Sequence, residues 1–210
     1  METEQAIKNV GSVESPKARQ ELALIPLGIA LNLALGLLVH TLRIPLYVDA
    51  VGTVAITLLA GMRAGILVGV VSFAVWGIFN PVYFWFAGTQ AAIAIYTHLV
   101  ARGGGFRTWF RTVLAGIGLG IVAGVVSAPV IVALFGGITG SGASVVVAFL
   151  VASGKSILKS VVLSGLACEP IDKTIQCLLA VWLLRGLPQT LLRHFRRGSL
   201  EQNGFIRSEA

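Results

Sequence analysis

Three of the nine acidic residues in this 210-residue chain, Asp49, Glu169 and Asp172, fall between positions 22 and 187, in otherwise apolar surroundings. Charge placed in an apolar run is costly, so each of these groups is either paired by the fold or used by it. Glu169 and Lys173 are four residues apart with Asp172 beside them, a spacing that lets an acid and a base meet on one helix face. With Pro170 suited to a first helical turn, this reads as a structural ion pair at an acidic helix start that fixes a hairpin. Asp49 lies in Leu46-Tyr47-Val48-Asp49-Ala50-Val51-Gly52-Thr53. Two readings stay open for it: a cap or first-turn acid for the helix that follows, or a direct ligand contact. Thr53 stands on the same helix and can donate a hydrogen bond.

Lys155 and Lys159 are also four apart and are expected to share a helix face, with Ser156, Ser160 and Ser164 in a second four-spaced row. Such a polar edge suits a helix lining a solvated cavity that takes an anionic or carbonyl-rich small molecule. The competing reading is lysines snorkelling toward lipid headgroups. Asn80, Gln90 and Tyr96 are polar groups around the fourth apolar run, each a ligand contact or a satisfied core residue. The stretch Tyr83-Phe84-Trp85-Phe86 fits a membrane interface or the rim of a ligand site.

Catalysis finds little support. His40, His98 and His194 lack metal-ligand spacing. Gly154-Lys155-Ser156 is not a phosphate-binding loop, because the earlier glycine position holds Phe149. Ser127 and Gly140-Ser141-Gly142 have no paired base, and Cys168 and Cys177 read as buried thiols. The expectation is a protein that is not an enzyme and has no metal or cofactor. The chain has no room for an ATPase domain, so active transport needs a partner or an ion gradient.

Composition names the medium in which these groups are held. The chain is 56% hydrophobic and 12% charged, with a mean hydropathy of +0.87. A soluble domain of this size carries more polar surface. The net charge of +7 comes from clusters at Lys8, Lys17 and Arg19, at Arg102, Arg107 and Arg111, and at Arg193, Arg196 and Arg197. They flank apolar runs, as cytoplasmic lysine and arginine do, and form no basic stripe interleaved with aromatics. No nucleic-acid partner is expected.

Apolar runs at 22–42, 48–60, 64–79, 83–101 and 109–135 read as five spans. Residues 143–187 hold two more apolar stretches around Cys168-Glu169-Pro170-Ile171-Asp172-Lys173. Two full crossings there would place the 193–197 cluster outside, against the charge bias. The preferred reading has one net crossing: 171–187 is the last span, and 143–166 enters from the outer side and packs back, with a seventh span as the alternative. The fold expected is an all-α membrane bundle of six transmembrane helices, with an outer-side re-entrant or partly embedded helix before the last span. Residues 1–21 form a polar cytoplasmic tail without a secretory signal, 22–187 the transmembrane bundle, and 188–210 a basic cytoplasmic tail. A bacterial inner membrane is the expected home. Rows of small residues at Gly61, Gly65 and Gly69, and at Gly116, Gly120 and Gly124, suit close packing within the bundle better than a dimer interface.

The segment 46–53, followed by Leu59-Ala60-Gly61 and Ala64-Gly65-Ile66-Leu67-Val68-Gly69, resembles the second and third helices of energy-coupling factor transporter S components, most closely the riboflavin-type branch. Glu169-Pro170-Ile171-Asp172-Lys173 is similar to the start of the last helix in that group. Ala30-Leu31-Asn32-Leu33-Ala34 follows its Ala-x-x-x-Ala pattern on helix one. The resemblance implies a substrate-binding bundle that captures a vitamin or related micronutrient in its outer half. It also implies docking, through Ala30 and Ala34, on a transmembrane coupling subunit joined to two cytoplasmic ATPase subunits. Asp49, Thr53, Asn80, Trp85, Gln90, Lys155 and Lys159 are then the ligand-side candidates. The polar-edged segment 143–166 departs from the riboflavin-type pattern, and no vitamin is named. Two other classes are a membrane ligand sensor or interaction module, and a solitary gradient-driven transporter with Asp49 or Glu169 as a proton-linked acid.

Overall fold

Glycine and Asn-Pro punctuation between long apolar runs sets where helices end. The computed structural model describes residues 16–42, 46–137, 142–192, 200 and 203–205. Lys8, the 193–197 basic cluster and most of both tails lie outside the described residues, whereas Lys17 and Arg19 fall within the first helix. In chain order the helices are α1 (Pro16–Thr41), α2 (Val51–Ala60), α3 (Met62–Phe79), a 3-10 turn (Pro81–Phe86), α4 (Ala87–Arg102), α5 (Trp109–Phe135), α6 (Gly142–Ala152), α7 (Ile157–Gly186) and α8 (Gln189–Leu192). No strand occurs among the described residues. Among the described residues, three helices are long and apolar enough to cross a bilayer: Ala23–Thr41 within α1, Met62–Phe79 and Trp109–Phe135. This suits a membrane protein. By length alone α2, with 10 residues, does not cross.

The centre of the molecule is α2, every residue of which is buried. It packs against α1, α3, α4 and α7. Lipid tails are as apolar as leucine, so helices in a membrane associate through close packing and hydrogen bonds rather than through the hydrophobic effect. The glycine rows serve that packing within the chain. A Cβ on Gly116 would lie 2.5 Å from Thr174 Cα, and one on Gly120 would lie 2.6 Å from the Glu169 carbonyl carbon and against the Pro170 backbone. Gly124 faces Gly165. Partner numbers fall as α5 numbers rise, so α5 and α7 run antiparallel along this smooth seam.

The end of the chain departs from the sequence expectation. Pro170 was expected in the first turn of a last helix, with 143–166 as one segment packing back. Instead α7 is one helix of 30 residues with Pro170 in its interior, and the break falls at 153–156. Gly154 takes φ +84 there, and the Lys155 and Gly154 amides donate to Leu150 O (3.2 Å) and Val151 O (2.9 Å). This is the paired closure that a left-handed glycine gives a helix end. An interior proline costs about 3 kcal/mol. Its tolerance here follows from tertiary packing, since the glycine face of α5 lies directly on Pro170. Residues 143–166 are therefore divided between α6 and the start of α7.

Candidate functional site

Glu169, Asp172, Lys173 and Gln176 stand at i, i+3, i+4 and i+7 of α7, which places them on one face. That face holds the non-helical lead-in 46–50 to α2. Asp172 Oδ1 accepts from the Tyr47 amide (3.1 Å) and the Val48 amide (3.2 Å). Gln176 Oε1 accepts from the Ala50 amide (2.8 Å), and its Nε2 donates to Asp172 Oδ2 (2.7 Å). Backbone outside a helix leaves polar groups that need partners when buried, and α7 supplies them. Val48 takes φ 45, a left-handed conformation unusual for a β-branched residue, and Asp172 grips the chain at that point. Lys173 Nζ lies 2.8 Å from Asp172 Oδ2, 3.2 Å from Asp49 Oδ1 and 3.7 Å from Glu169 Oε2, above the Tyr47 ring at 5.8 Å.

A second polar cluster caps α2 from another helix. Asn32 of α1 is wholly buried, and its Oδ1 accepts from the Gly52 amide at 2.7 Å and the Thr53 amide at 3.4 Å. These first-turn donors ordinarily bond to a preceding side chain. Here Ala50 holds the cap position and contributes no side-chain bond. Asn32 Nδ2 donates to Thr53 Oγ1 (2.9 Å) and Ser72 Oγ (3.1 Å), and Thr53 Oγ1 donates to Gln90 Oε1 (3.1 Å). The close approach this needs is available because Gly52 sits against the Gly28 carbonyl.

Beside the Lys173 cluster, α5, α6 and α7 enclose a cleft of about 360 Å³, its open mouth included. Its polar wall comprises Tyr47, Ser127, Ser144, Ser164, Cys168 and Glu169, and Ile131, Val147 and Val161 are among its apolar lining. Most of that volume is open mouth; the enclosed part holds a group of about one water's size, well below the usual small-molecule site.

The structure brings only some of the sequence-chosen residues together. Asp49 joins the Lys173 cluster as an ion-pair partner and is neither the cap nor a bonded first-turn acid of α2. Thr53 and Gln90 meet in the Asn32 network. Asn80 is exposed and turns its side chain to the Val82 amide (3.2 Å), and Trp85 is 64% exposed. Lys155 and Lys159 do not share a helix face: Lys155 lies in the turn before α7, and both are exposed outside the cleft. Of the serine row, Ser160 and Ser164 are buried, and Ser164 reaches the cleft. Ala30 and Ala34 are exposed on α1. Asn32, Gln176 and Tyr47 are participants that the sequence reading gave no site role. A lone Asn in an apolar helix, and a Gln seven residues after Glu169 on the acidic face, were the available signals.

The described residues near the C-terminus pack against the bundle. Asn203 is buried; its Nδ2 donates to Ala101 O (2.9 Å) and its Oδ1 accepts from the Phe106 amide (2.8 Å). Leu192, Leu200 and Phe205 are buried too, in the same apolar cluster as Phe106 of the α4–α5 loop.

The chain matches no protein-family model, no curated protein and no solved structure.

Proposed function

We propose that this chain is the membrane-embedded substrate-capture subunit of an energy-coupling-factor importer for a vitamin or related micronutrient. The observation that carries the reading is the α5–α6–α7 cleft: serines, a tyrosine and a buried carboxylate converge on one recess of a largely apolar bundle. Such convergence of a few polar groups on an otherwise apolar recess is what small-molecule recognition requires.

In this reading six crossings are made by α1, by α2 with its lead-in, and by α3, α4, α5 and α7, with α6 re-entrant on the outer side. Helix α2 contributes about 15 Å and the five residues 46–50 at most about 17 Å more, together close to the roughly 30 Å hydrocarbon core. The 3-10 turn and α4 together reach about 36 Å, and α7 reaches about 45 Å. Both termini face the cytoplasm of a bacterial inner membrane. The outward face of α1, where Ala30 and Ala34 stand beside Leu27, Leu37 and Leu38, suits close approach by a transmembrane coupling subunit bearing two ATPases.

Affinity purification of the tagged chain from its own membranes in mild detergent tests this reading. A coupling subunit and an ATPase pair should co-purify, and Ala30→Trp with Ala34→Trp should release them without changing thermal unfolding. The buried Glu169 carboxylate favours one second reading, a solitary proton-linked transporter. Accumulation of substrate by the chain alone in proteoliposomes under a pH gradient would decide for that reading and against the importer.

A further inference from the structure

The Lys173 cluster holds three carboxylates against one ammonium, and they are not equally served. Asp172 accepts from two backbone amides, from Gln176 and from Lys173. Asp49 takes a 3.2 Å bond from Lys173 and is partly open to solvent. Glu169 differs on both counts. It is 9% exposed, its buried Oε2 has no hydrogen-bond donor among the described residues, and the nearest cation among them is Lys173 at 3.7 Å. No other lysine or arginine among the described residues makes an ion pair with these acids. Glu169 also lines the α5–α6–α7 cleft, so the carboxylate lacking a donor borders the recess proposed to receive a ligand.

Resting on the capture reading, we propose that the molecule taken by this cleft carries a cationic N–H group, an ammonium or a related protonated nitrogen, whose hydrogen bond Glu169 Oε2 accepts. A charge-assisted N–H···O bond of about 2.7–2.9 Å supplies the missing donor and offsets the excess negative charge. Burial of both partners keeps that bond strong. Ile131, Val147 and Val161 face an apolar body, and Ser127 offers a hydroxyl. An anion entering the cleft meets the Glu169 charge, while Lys155 and Lys159, the lysines that suggested an anionic ligand, stand outside it.

Calorimetric titration of the full chain in lipid nanodiscs, with empty nanodiscs as blank, tests this with benzylamine, benzyl alcohol and benzoate. The three share one ring and differ in charge. Benzylamine is expected to bind at least tenfold more tightly than the alcohol, with no binding of benzoate. Glu169→Gln, which keeps the shape and removes the charge, should erase the preference, and Glu169→Asp should retain part of it. Equal binding of alcohol and amine, preferred binding of benzoate, or a preference that survives Glu169→Gln overturns the assignment, as does a protein that binds none of the three. Should Glu169→Gln fail to fold, the charge preference of the unaltered protein decides alone. Binding without charge preference leaves the capture reading standing, because that reading fails separately, on the absence of importer partners after purification.

Discussion

Replacing Lys173 with Met keeps most of the aliphatic stem and removes the ammonium that touches Asp172, Asp49 and Glu169 at 2.8, 3.2 and 3.7 Å. The Lys173 and Asp172 side chains are 4% and 2% exposed, so water cannot replace what is lost. Removing one partner of a buried ion pair costs about 3–5 kcal/mol, because the other charge stays behind. Asp172 keeps two backbone donors and Gln176, which puts the expected loss near the lower bound, about 3 kcal/mol. At about 2–4 °C per kcal/mol for a chain of this size, the melting point should fall by about 6–12 °C. Cys177 is wholly buried, so its reaction with a fluorogenic maleimide during heating reports unfolding, in a Cys168→Ala background because Cys168 is less buried. Adding Glu169→Gln to Lys173→Met removes one orphaned carboxylate and should recover at least about 1 kcal/mol, about 2–4 °C. A single variant melting within about 2 °C of its parent, or a double variant no better than the single, refutes the view that this cluster holds 46–50 against α7.

The α5–α7 seam should be intolerant of bulk. Gly120→Leu forces a side chain against the Pro170 backbone and should cost about 3 kcal/mol or more, whereas Gly88→Ala, with open space around it, should change stability by less than about 1 kcal/mol; the thiol melt separates the two, and similar melts would count against the seam. Asn32→Ala removes the cap of α2 and two buried donor bonds, so a loss of about 2 kcal/mol is expected, and a melt within about 1 °C of the parent would remove Asn32 from the account of α2. Asn203→Ala should speed amide exchange in residues 103–107 about tenfold, since Asn203 ties that loop through Ala101 and Phe106; unchanged exchange would show that the contact does not restrain the loop.

Much of the helical layout was readable because local chemistry marks it. The run 109–135 coincides with α5, begun by Thr108, whose hydroxyl accepts from the Arg111 amide, and ended by left-handed Gly136. Asn80-Pro81 does end α3. The aromatic run 83–86, read as the start of the fourth span, takes a 3-10 form ahead of α4, because Pro81 and the Asn80 side chain start a tighter turn there. Local rules failed where tertiary packing overrode them. Pro170 is a helix-starting signal in sequence, yet α7 runs through it, with Gly120 of α5 packed on its backbone. Asp49 is well placed to cap α2, yet Asn32, 20 residues before Gly52, reaches across from α1 to do so. The Glu169–Lys173 spacing indicated an ion pair, but spacing could not reveal that Asp172 and Gln176 bond a distant stretch of backbone. The cleft was the least legible feature, since its walls come from three helices whose contacts no periodicity specifies.

Capture of a small molecule by the cleft is tested most directly by native mass spectrometry of the gently purified full chain, with release and identification of what it retains. Capture predicts one vitamin-like molecule per chain, present in the parent and lost in Ser127→Phe, which fills the recess, but retained when Lys155 and Lys159 are both replaced by alanine, since both lie outside it. A chain that carries no small molecule, and takes up none from a broad vitamin panel, would contradict it.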